Sequence, residues 1–173
     1  HGGLTDKGWH HFEETHRIPL IVRFPDGRHA GETITQFASL CDVYPTLCDM
    51  AGTEWDTGDV HGESLLPLIE NRDTPWRDAV FTEFCGVNSL AYTQRMVRVG
   101  EIKYGYNCTG PDELYDLDRD PHETTNLIDH PAYRDAADDC RRRLEAWMEE
   151  TGDAALTMYR FGRMRHYERD RPV

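Results

Sequence analysis

The chain has 173 residues, of which 38% are hydrophobic, and its formal net charge is -13 at pH 7. This length and apolar content favour a folded domain with a buried core over a disordered segment. No apolar stretch of the sequence is long enough to cross a bilayer, and an acidic chain lacks the basic surface typical of nucleic-acid-binding proteins. We therefore expect neither a membrane nor a nucleic acid as partner. No segment specifies a compartment, and the cytoplasm is the default expectation.

The five cysteines form neither a zinc motif nor an obvious disulfide. No two of them have the CxxC spacing that is typical of structural zinc sites. Cys41 and Cys48 fall on one predicted helix, about 10 Å apart by helical rise, which is too far for a disulfide. We expect all five to be small buried side chains.

The first part of the chain predicts a strand followed by a helix. Residues 18–24 (IPLIVRF) form a nearly continuous apolar run, which is typical of a buried strand in a parallel sheet. Residues 39–52 predict a helix with Ser39 as N-cap, Pro45 in its first turns or at a kink, and Gly52 as its end. Its apolar spacing involves Leu40, Val43, Tyr44, Leu47 and Met50.

A second short helix is predicted in residues 61–71 (HGESLLPLIEN), with Ser64 as its cap. The following stretch, residues 71–78, is polar and contains a proline, so we place a domain boundary there. The predicted division is therefore 1–74, 75–152 and a tail of residues 153–173 that shows no clear period.

The second part of the chain predicts strands and one long helix. Residues 78–84 alternate weakly like a strand, residues 95–107 predict a hairpin that turns at Gly100, and residues 112–123 predict a short strand and a turn. Residues 131–151 predict a helix with an apolar stripe of Tyr133, Ala137, Cys140, Leu144, Trp147 and Met148. The fold class is therefore α/β: the end of an α/β sheet domain, followed by a small α+β subdomain whose antiparallel sheet packs on a long C-terminal helix.

Six motifs in chain order resemble those of the sulfatase family within the alkaline-phosphatase superfamily. K-G-x-x-x-F-E-E-x-x-R-I-P-L-I (residues 7–21) is similar to the segment that follows the second metal-binding motif of these enzymes. DVYPTLCDMAG and HGESLLPLI resemble their D-x-x-P-T-x-x-x-x-A-G helix and G-x-S-L-x-P-L loop. The carboxy-terminal subdomain is matched by RMVRVGEIKYGYN, ELYDLDRDPHETTNL and LEAWMEETGD. The chain thus resembles the carboxy-terminal portion of a sulfatase.

This resemblance implies hydrolysis of sulfate esters by a metal-dependent sulfatase. Family members use a formylglycine made from the Cys or Ser of a C/S-x-P/A-x-R motif, together with a divalent ion, often calcium. Neither that motif nor the family's amino-terminal Asp cluster occurs in this sequence. The resemblance therefore places the nucleophile and most metal ligands in an amino-terminal portion upstream of His1, and this chain alone is expected to be inactive.

The resemblance also assigns candidate site residues. Lys7 matches the lysine that contacts the sulfate and the bridging oxygen, where its ammonium would stabilise charge in the transition state. His1 resembles the histidine at the leaving-group oxygen, although the spacing here is one residue longer. Side chains at His10 and His11 diverge on any regular element, which disfavours joint metal ligation, so we expect no metal ligand in this chain. We expect His11 and His61 to contact substrate.

The Glu13-Glu14 pair and a possible glycosylation sequon have interpretations that involve no catalytic function. One of Glu13 and Glu14 is expected to anchor the backbone ahead of the apolar run, and the other to be solvated. The triplet Asn107-Cys108-Thr109 fits a glycosylation sequon, but such triplets occur by chance.

Other functions fit the same residues. A phosphodiesterase or phosphonate monoester hydrolase of the same superfamily shares the lysine and the following R-x-P, so sulfuryl and phosphoryl transfer are not separated. A non-catalytic binding or assembly module would require the chain to fold alone, and an α/β layer without partner strands leaves apolar surface uncovered. The expected substrate is a small-molecule or carbohydrate sulfate ester; choline, aryl and carbohydrate sulfates stay open, as does a homo-oligomer.

Overall fold

The computed structural model of the protein describes residues 10–56, 58, 60–87 and 90–169. In chain order, the helices are α1 (Glu13–His16), α2 (Val43–Ala51), α3 (Leu66–Glu70), α4 (Arg134–Glu150) and α5 (Leu156–Arg169), and the strands are β1 (Ala79–Val87), β2 (Leu90–Val99), β3 (Ile102–Asn107) and β4 (Glu113–Asp116). No helix of this part of the chain is both long and apolar enough to cross a membrane.

Contacts divide the chain into two compact units. The first unit combines the described residues up to Ile18 with those from Phe81 onward, and the second unit is Pro19–Val80. The units are defined by packing, and the predicted division at residue 74 stays a prediction.

Helix α2 of the second unit has the limits that the sequence predicts. A single 3-10 turn, Leu40–Asp42, leads into it, and Ser39 caps that turn: its Oγ accepts from Cys41 N at 3.3 Å while Ser39 N donates to the Asp42 carboxylate at 2.7 Å. This reciprocal capping box satisfies backbone donors that the helix itself cannot. Gly52 ends the helix with a φ of 65°, a left-handed conformation that suits glycine.

The core of the second unit is small. Phe24, Leu65 and Ile69 are buried at its centre, and the partly buried side chains of Ile34, Met50, Leu66 and Trp76 pack around them. On α2 the buried side chains are Pro45 and Thr46. Three residues of its predicted apolar spacing are instead exposed, by 69% for Leu40, 54% for Tyr44 and 59% for Leu47.

The predicted buried strand over residues 18–24 is wrong in this structure. These residues form no strand, and Leu20, Ile21 and Val22 are 48%, 88% and 43% exposed. A parallel strand needs neighbours that accept its hydrogen bonds and cover its faces, and the described residues of the second unit pair no strand with this run. Only Phe24 at its end is buried.

The first unit contains the predicted antiparallel sheet, with strand order β1-β2-β3-β4. The hairpin of β2 and β3 turns at Gly100, where φ is 55°, and Val97 faces Tyr104 in its register. Helix α4 packs on β2 and β3 through the buried side chains of Ala137, Cys140, Leu144 and Met148, which belong to the predicted stripe. The predicted fold class is thus confirmed in its small subdomain.

The tail without a clear period contains a helix that was not predicted, α5, which packs on α4 and buries Tyr159. The expectation that all five cysteines are buried is wrong. Cys140 is buried, Cys48 and Cys108 are partly buried, and Cys41 and Cys85 are exposed free thiols.

Candidate functional site

The two predicted catalytic residues, His1 and Lys7, lie outside the described residues, so their roles stay predictions. The described part of the candidate site begins at His10, three residues after Lys7. It consists of the segment that contains α1 and the sheet residues against which this segment packs.

Three histidines meet in this segment. His11 is 6% exposed, and its Nδ1 lies 2.9 Å from His16 Nε2 and 3.3 Å from Thr82 Oγ1. His10 Nδ1 lies 3.3 Å from Thr15 Oγ1. Within the described residues, the buried His11 Nε2 has no hydrogen-bond partner.

The histidine pair is uncharged at neutral pH. Burial, and then the charges of His16, Lys103 and Arg95, lower the pKa of His11 to about 3. Burial also lowers the pKa of His16, with Lys103 acting in the same direction and Glu13 opposing it. A neutral imidazole offers a hydrogen bond and no charge, so His11 cannot supply a cation for an anionic ester. Its predicted contact with substrate, which remains untested, would be a hydrogen bond.

Sequence reasoning missed Lys103, the buried cation of this region. It lies in β3, is 1% exposed, and donates from Nζ to the His11 carbonyl oxygen at 2.7 Å. The same Nζ forms ion pairs with Glu13 Oε1 at 2.8 Å and Glu123 Oε1 at 2.6 Å. The sequence does place this lysine between Ile102 and Tyr104 in a predicted strand. Because side chains alternate between the two faces of a strand, Lys103 lies on the face opposite to both neighbours.

Glu13 is the expected backbone anchor. Its amide donates to Glu123 Oε2 at 2.6 Å, and its carboxylate also pairs with Arg98 at 2.9 Å. Glu14 is exposed, as expected for the solvated member of the pair.

His61, the other predicted substrate residue, belongs to the second unit and is exposed. The loop that carries it is fixed by Asp42, a fully buried carboxylate whose Oδ1 accepts from Glu63 N at 2.9 Å and from Arg77 at 2.8 Å. At Gly62 the loop approaches Cys41 so closely that a Cβ would lie 2.0 Å from the Cys41 carbonyl oxygen. The sequence motif G-x-S-L-x-P-L therefore requires its glycine for a close backbone approach.

The described residues offer no site for the divalent ion that the resemblance implies. Among them, no group of three or more His, Cys, Asp or Glu side chains is arranged to hold a metal. His11 and His16 are instead hydrogen-bonded to each other.

Asn107 of the sequon is an internal structural residue. It is 8% exposed, and its Nδ2 donates to the Pro111 carbonyl oxygen at 2.8 Å. A glycan on this nitrogen would require the end of β3 to open, which favours the chance interpretation of the triplet.

Comparison with known proteins identifies the family. The family model described as N-sulphoglucosamine sulphohydrolase, C-terminal, matches residues 1–150. The N-acetylglucosamine-6-O-sulfatase of Bacteroides thetaiotaomicron is 30% identical over 161 residues, which is 87% of this chain and 29% of that protein. The chain spans about a third of the length of the curated relatives it matches.

Solved structures show the same relationship. A 2-O GAG sulfatase is similar with a TM-score of 0.62 and 30% identity, covering 67% of this chain and 26% of that one. The phosphonate monoester hydrolase of Agrobacterium radiobacter is similar with a TM-score of 0.60 and 27% identity, covering 68% and 26%. The chain therefore belongs to the sulfatase family, of which it represents the carboxy-terminal portion.

Proposed function

We propose that this chain is the carboxy-terminal part of a metal-dependent sulfatase that hydrolyses sulfate esters. The observation that carries the proposal is the family match over residues 1–150, which includes Lys7, the histidine segment and the small sheet. Two similar proteins are named for sulfated sugars, an N-acetylglucosamine-6-O-sulfatase and a 2-O GAG sulfatase. A carbohydrate sulfate ester is therefore the substrate class that we assign.

In this proposal the chain contributes groups that steady the sulfuryl group and the leaving oxygen. Hydrolysis breaks the bond between sulfur and the ester oxygen, and negative charge develops on the departing oxygen. Lys7 contacts the sulfuryl and bridging oxygens, His1 contacts the leaving oxygen, and His11 and His61 contact the remainder of the substrate. The formylglycine nucleophile and a calcium ion, which would polarise the sulfuryl oxygens, belong to an amino-terminal portion of the same protein.

The exposed apolar residues of the second unit support such a partner. Leu20, Ile21 and Val22 form an extended apolar run with between 43% and 88% of each residue exposed. Tyr44 and Leu47 of α2, and Leu40 of the 3-10 turn before it, add apolar surface. Surface of this kind marks an interface in a stable soluble protein. It is the surface that adjacent strands and helices of a larger α/β domain would cover, and it disfavours a non-catalytic module that folds alone.

Phosphoryl transfer is the second candidate function. The Agrobacterium phosphonate monoester hydrolase is similar over 68% of this chain. A lysine ammonium stabilises developing charge on a phosphoryl group as well as on a sulfuryl group. The residues of this chain fit either reaction.

Steady-state kinetics of the complete polypeptide that contains this chain test the proposal. The substrates are a glucosamine sulfate ester, choline sulfate, an aryl sulfate and an aryl phosphonate monoester. We expect the sugar sulfate to be turned over fastest, and Lys7→Ala to lower kcat about 100-fold or more. The matched control is Arg142→Ala, which removes a cation whose side chain is 70% exposed on α4, and we expect it to leave kcat unchanged.

Three outcomes contradict parts of the proposal. If only the phosphonate is turned over, the reaction is phosphoryl transfer and not sulfate-ester hydrolysis. Wild-type kcat in Lys7→Ala would remove Lys7 from the mechanism. No turnover of any of the four esters, in a folded and metal-loaded protein, would favour the non-catalytic module.

A further inference from the structure

A buried ion cluster joins the small sheet to the segment that follows Lys7. We call it the Lys103 clamp; its members are Lys103, Glu13, Glu123 and the His11 carbonyl group. Lys103 Nζ lies 2.6 to 2.8 Å from one oxygen of each of the other three members. The second oxygen of Glu123 accepts from Glu13 N at 2.6 Å.

Burying the charged groups of the Lys103 clamp costs free energy. The side chains of Lys103 and Glu123 are 2% and 0% exposed, and burying charges is unfavourable unless they are closely paired. Glu123 also has a φ of 51°, a left-handed conformation that non-glycine residues rarely adopt. A buried cation, a buried anion and a strained backbone therefore coincide at one place, which is the pattern found where a fold maintains a functional geometry.

The clamp holds a segment whose own secondary structure is short. Helix α1 has four residues and none of them is buried, and so short a helix is not stable by itself. The contacts reach residues 11 and 13 from a sheet strand and a loop that are 92 and 110 residues away in sequence. The position of residues 11–13 is therefore set by long-range contacts rather than by local structure. Besides those of Lys103 and Glu123, these contacts are Thr82 at His11 and Arg98 at Glu13.

We propose that Lys103, with Glu13 and Glu123, is a positioning device for Lys7. The inference rests on the role of Lys7 in the proposed function. Three residues lie between Lys7 and His11, which is at most about 14 Å of chain from one Cα to the other, so the position of His11 restricts where Lys7 can lie. A misplacement of about 1 Å in a catalytic group can cost about 100-fold in rate. Lys103 itself contacts protein groups and not the substrate.

The test is a double-mutant cycle with Lys7 in the complete polypeptide. Lys103→Met retains the length of the aliphatic chain and removes the charge, and we expect kcat to fall about 10- to 100-fold with a smaller change in KM. In the Lys7→Ala background, Lys103→Met is expected to lower kcat no further, because the group it positions is already gone.

The matched control is Tyr104→Phe. Tyr104 follows Lys103 in β3, so it projects from the opposite face, where its hydroxyl donates to Asp112 at 2.6 Å. We expect this variant to lower the melting temperature, as Lys103→Met does, and to keep kcat within about twofold of wild type. If Lys103→Met does not fold, Glu123→Gln takes its place in the same cycle, since it preserves shape and removes one charge.

The inference is overturned if Lys103→Met keeps wild-type kcat while Lys7→Ala is slow. It is also overturned if the loss of kcat is equally large in the Lys7→Ala background, or if Tyr104→Phe loses as much kcat as Lys103→Met. Wild-type turnover in Lys7→Ala is a different result: it refutes the role of Lys7 first, and the positioning role with it.

Discussion

Replacing Asp153 with Asn is expected to destabilise the junction between α4 and α5. Asp153 Oδ1 accepts from Arg95 Nη2 and from Ala155 N, each at 2.8 Å, and Oδ2 pairs with Arg95 Nε. The side chains of Arg95 and Asp153 are 3% and 5% exposed, so water screens this ion pair little. The substitution keeps the size and the backbone contact of residue 153. It leaves the buried guanidinium with only the exposed Glu83 carboxylate, 3.6 Å from Nη2, as a counter-charge.

The expected loss follows from the contacts that Arg95 keeps. Removing one partner of a buried ion pair costs about 3–5 kcal/mol. We expect the lower value, about 3 kcal/mol, since Arg95 Nη1 still donates to oxygens of Phe84, Thr93 and Gln94 at 3.3, 2.6 and 2.8 Å. At about 1.4 kcal/mol for each factor of ten, local opening becomes about 100-fold more frequent.

Hydrogen exchange followed by mass spectrometry measures this opening. Peptides from β2, α4 and α5 of Asp153→Asn should exchange about 100-fold faster than wild type. The matched control is Glu149→Gln, which removes a partner of Arg160 between the same two helices whose side chain is 66% exposed, and it should leave exchange nearly unchanged. Equal exchange rates in Asp153→Asn and wild type would refute the assigned importance of the buried pair.

The pH dependence gives an independent check of the same pair. The hydrogen bond from Arg95 holds the pKa of Asp153 below its usual value. A carboxylate whose folded pKa is lowered stabilises the protein above the unfolded value, about 3.9, and this contribution is lost as the pH falls through the folded pKa. The difference in unfolding free energy between wild type and variant should therefore persist at neutral pH and shrink below about pH 4. A difference that stays constant in that range would show that charge is not its cause.

Two further predictions concern the loop of His61 and the histidine segment. Gly62→Ala should destabilise the protein by about 1–3 kcal/mol, because the new Cβ would clash with the Cys41 carbonyl oxygen. Chemical unfolding measures this loss of stability. The control is Gly105→Ala, which should be tolerated because the atom nearest to its new Cβ is 3.9 Å away. The low pKa of His11, about 3, predicts a neutral ring at pH 5 by NMR. Because the unfolded histidine binds its proton near pH 6.5, stability should fall by about 1.4 kcal/mol per pH unit below that value, and a charged His11 at pH 5 would contradict its burial.

Local rules predicted the elements whose ends are specified by their own residues. The capping box of Ser39, the left-handed Gly52 and the turn at Gly100 are signals of a few residues, and each element they bound is confirmed. Helix α5 was not predicted for the opposite reason. Of its first seven residues only Tyr159 is buried, so the sequence of this helix shows no apolar period. Residues 18–24 failed because a strand depends on neighbours, which periodicity does not report.

The candidate site was predicted less well than the fold. The motif around Lys7 directed attention to residues 1–21 through its resemblance to the sulfatase family. That family is confirmed, while the roles of Lys7 and His1 stay predictions. Lys103 was missed because its partners Glu13 and Glu123 are distant in sequence, and a charged residue in a strand pattern is ordinarily assigned to the solvent face. The burial of such a lysine depends on tertiary contacts, which cannot be predicted from a single sequence.

Buried charges in this protein consistently join segments that are far apart in the chain. Lys103 with Glu13, Arg95 with Asp153, and Arg77 with Asp42 each connect two separate stretches within one unit. Such pairs contribute little net stability compared with apolar side chains of the same size, but a wrong partner would leave a buried charge unpaired. They therefore act mainly as specificity devices, which suits a chain whose second unit has only a small apolar core. On this reasoning, replacing both Arg95 and Asp153 with apolar residues should cost less stability than replacing Asp153 alone, which unfolding experiments on the single and double variants would measure.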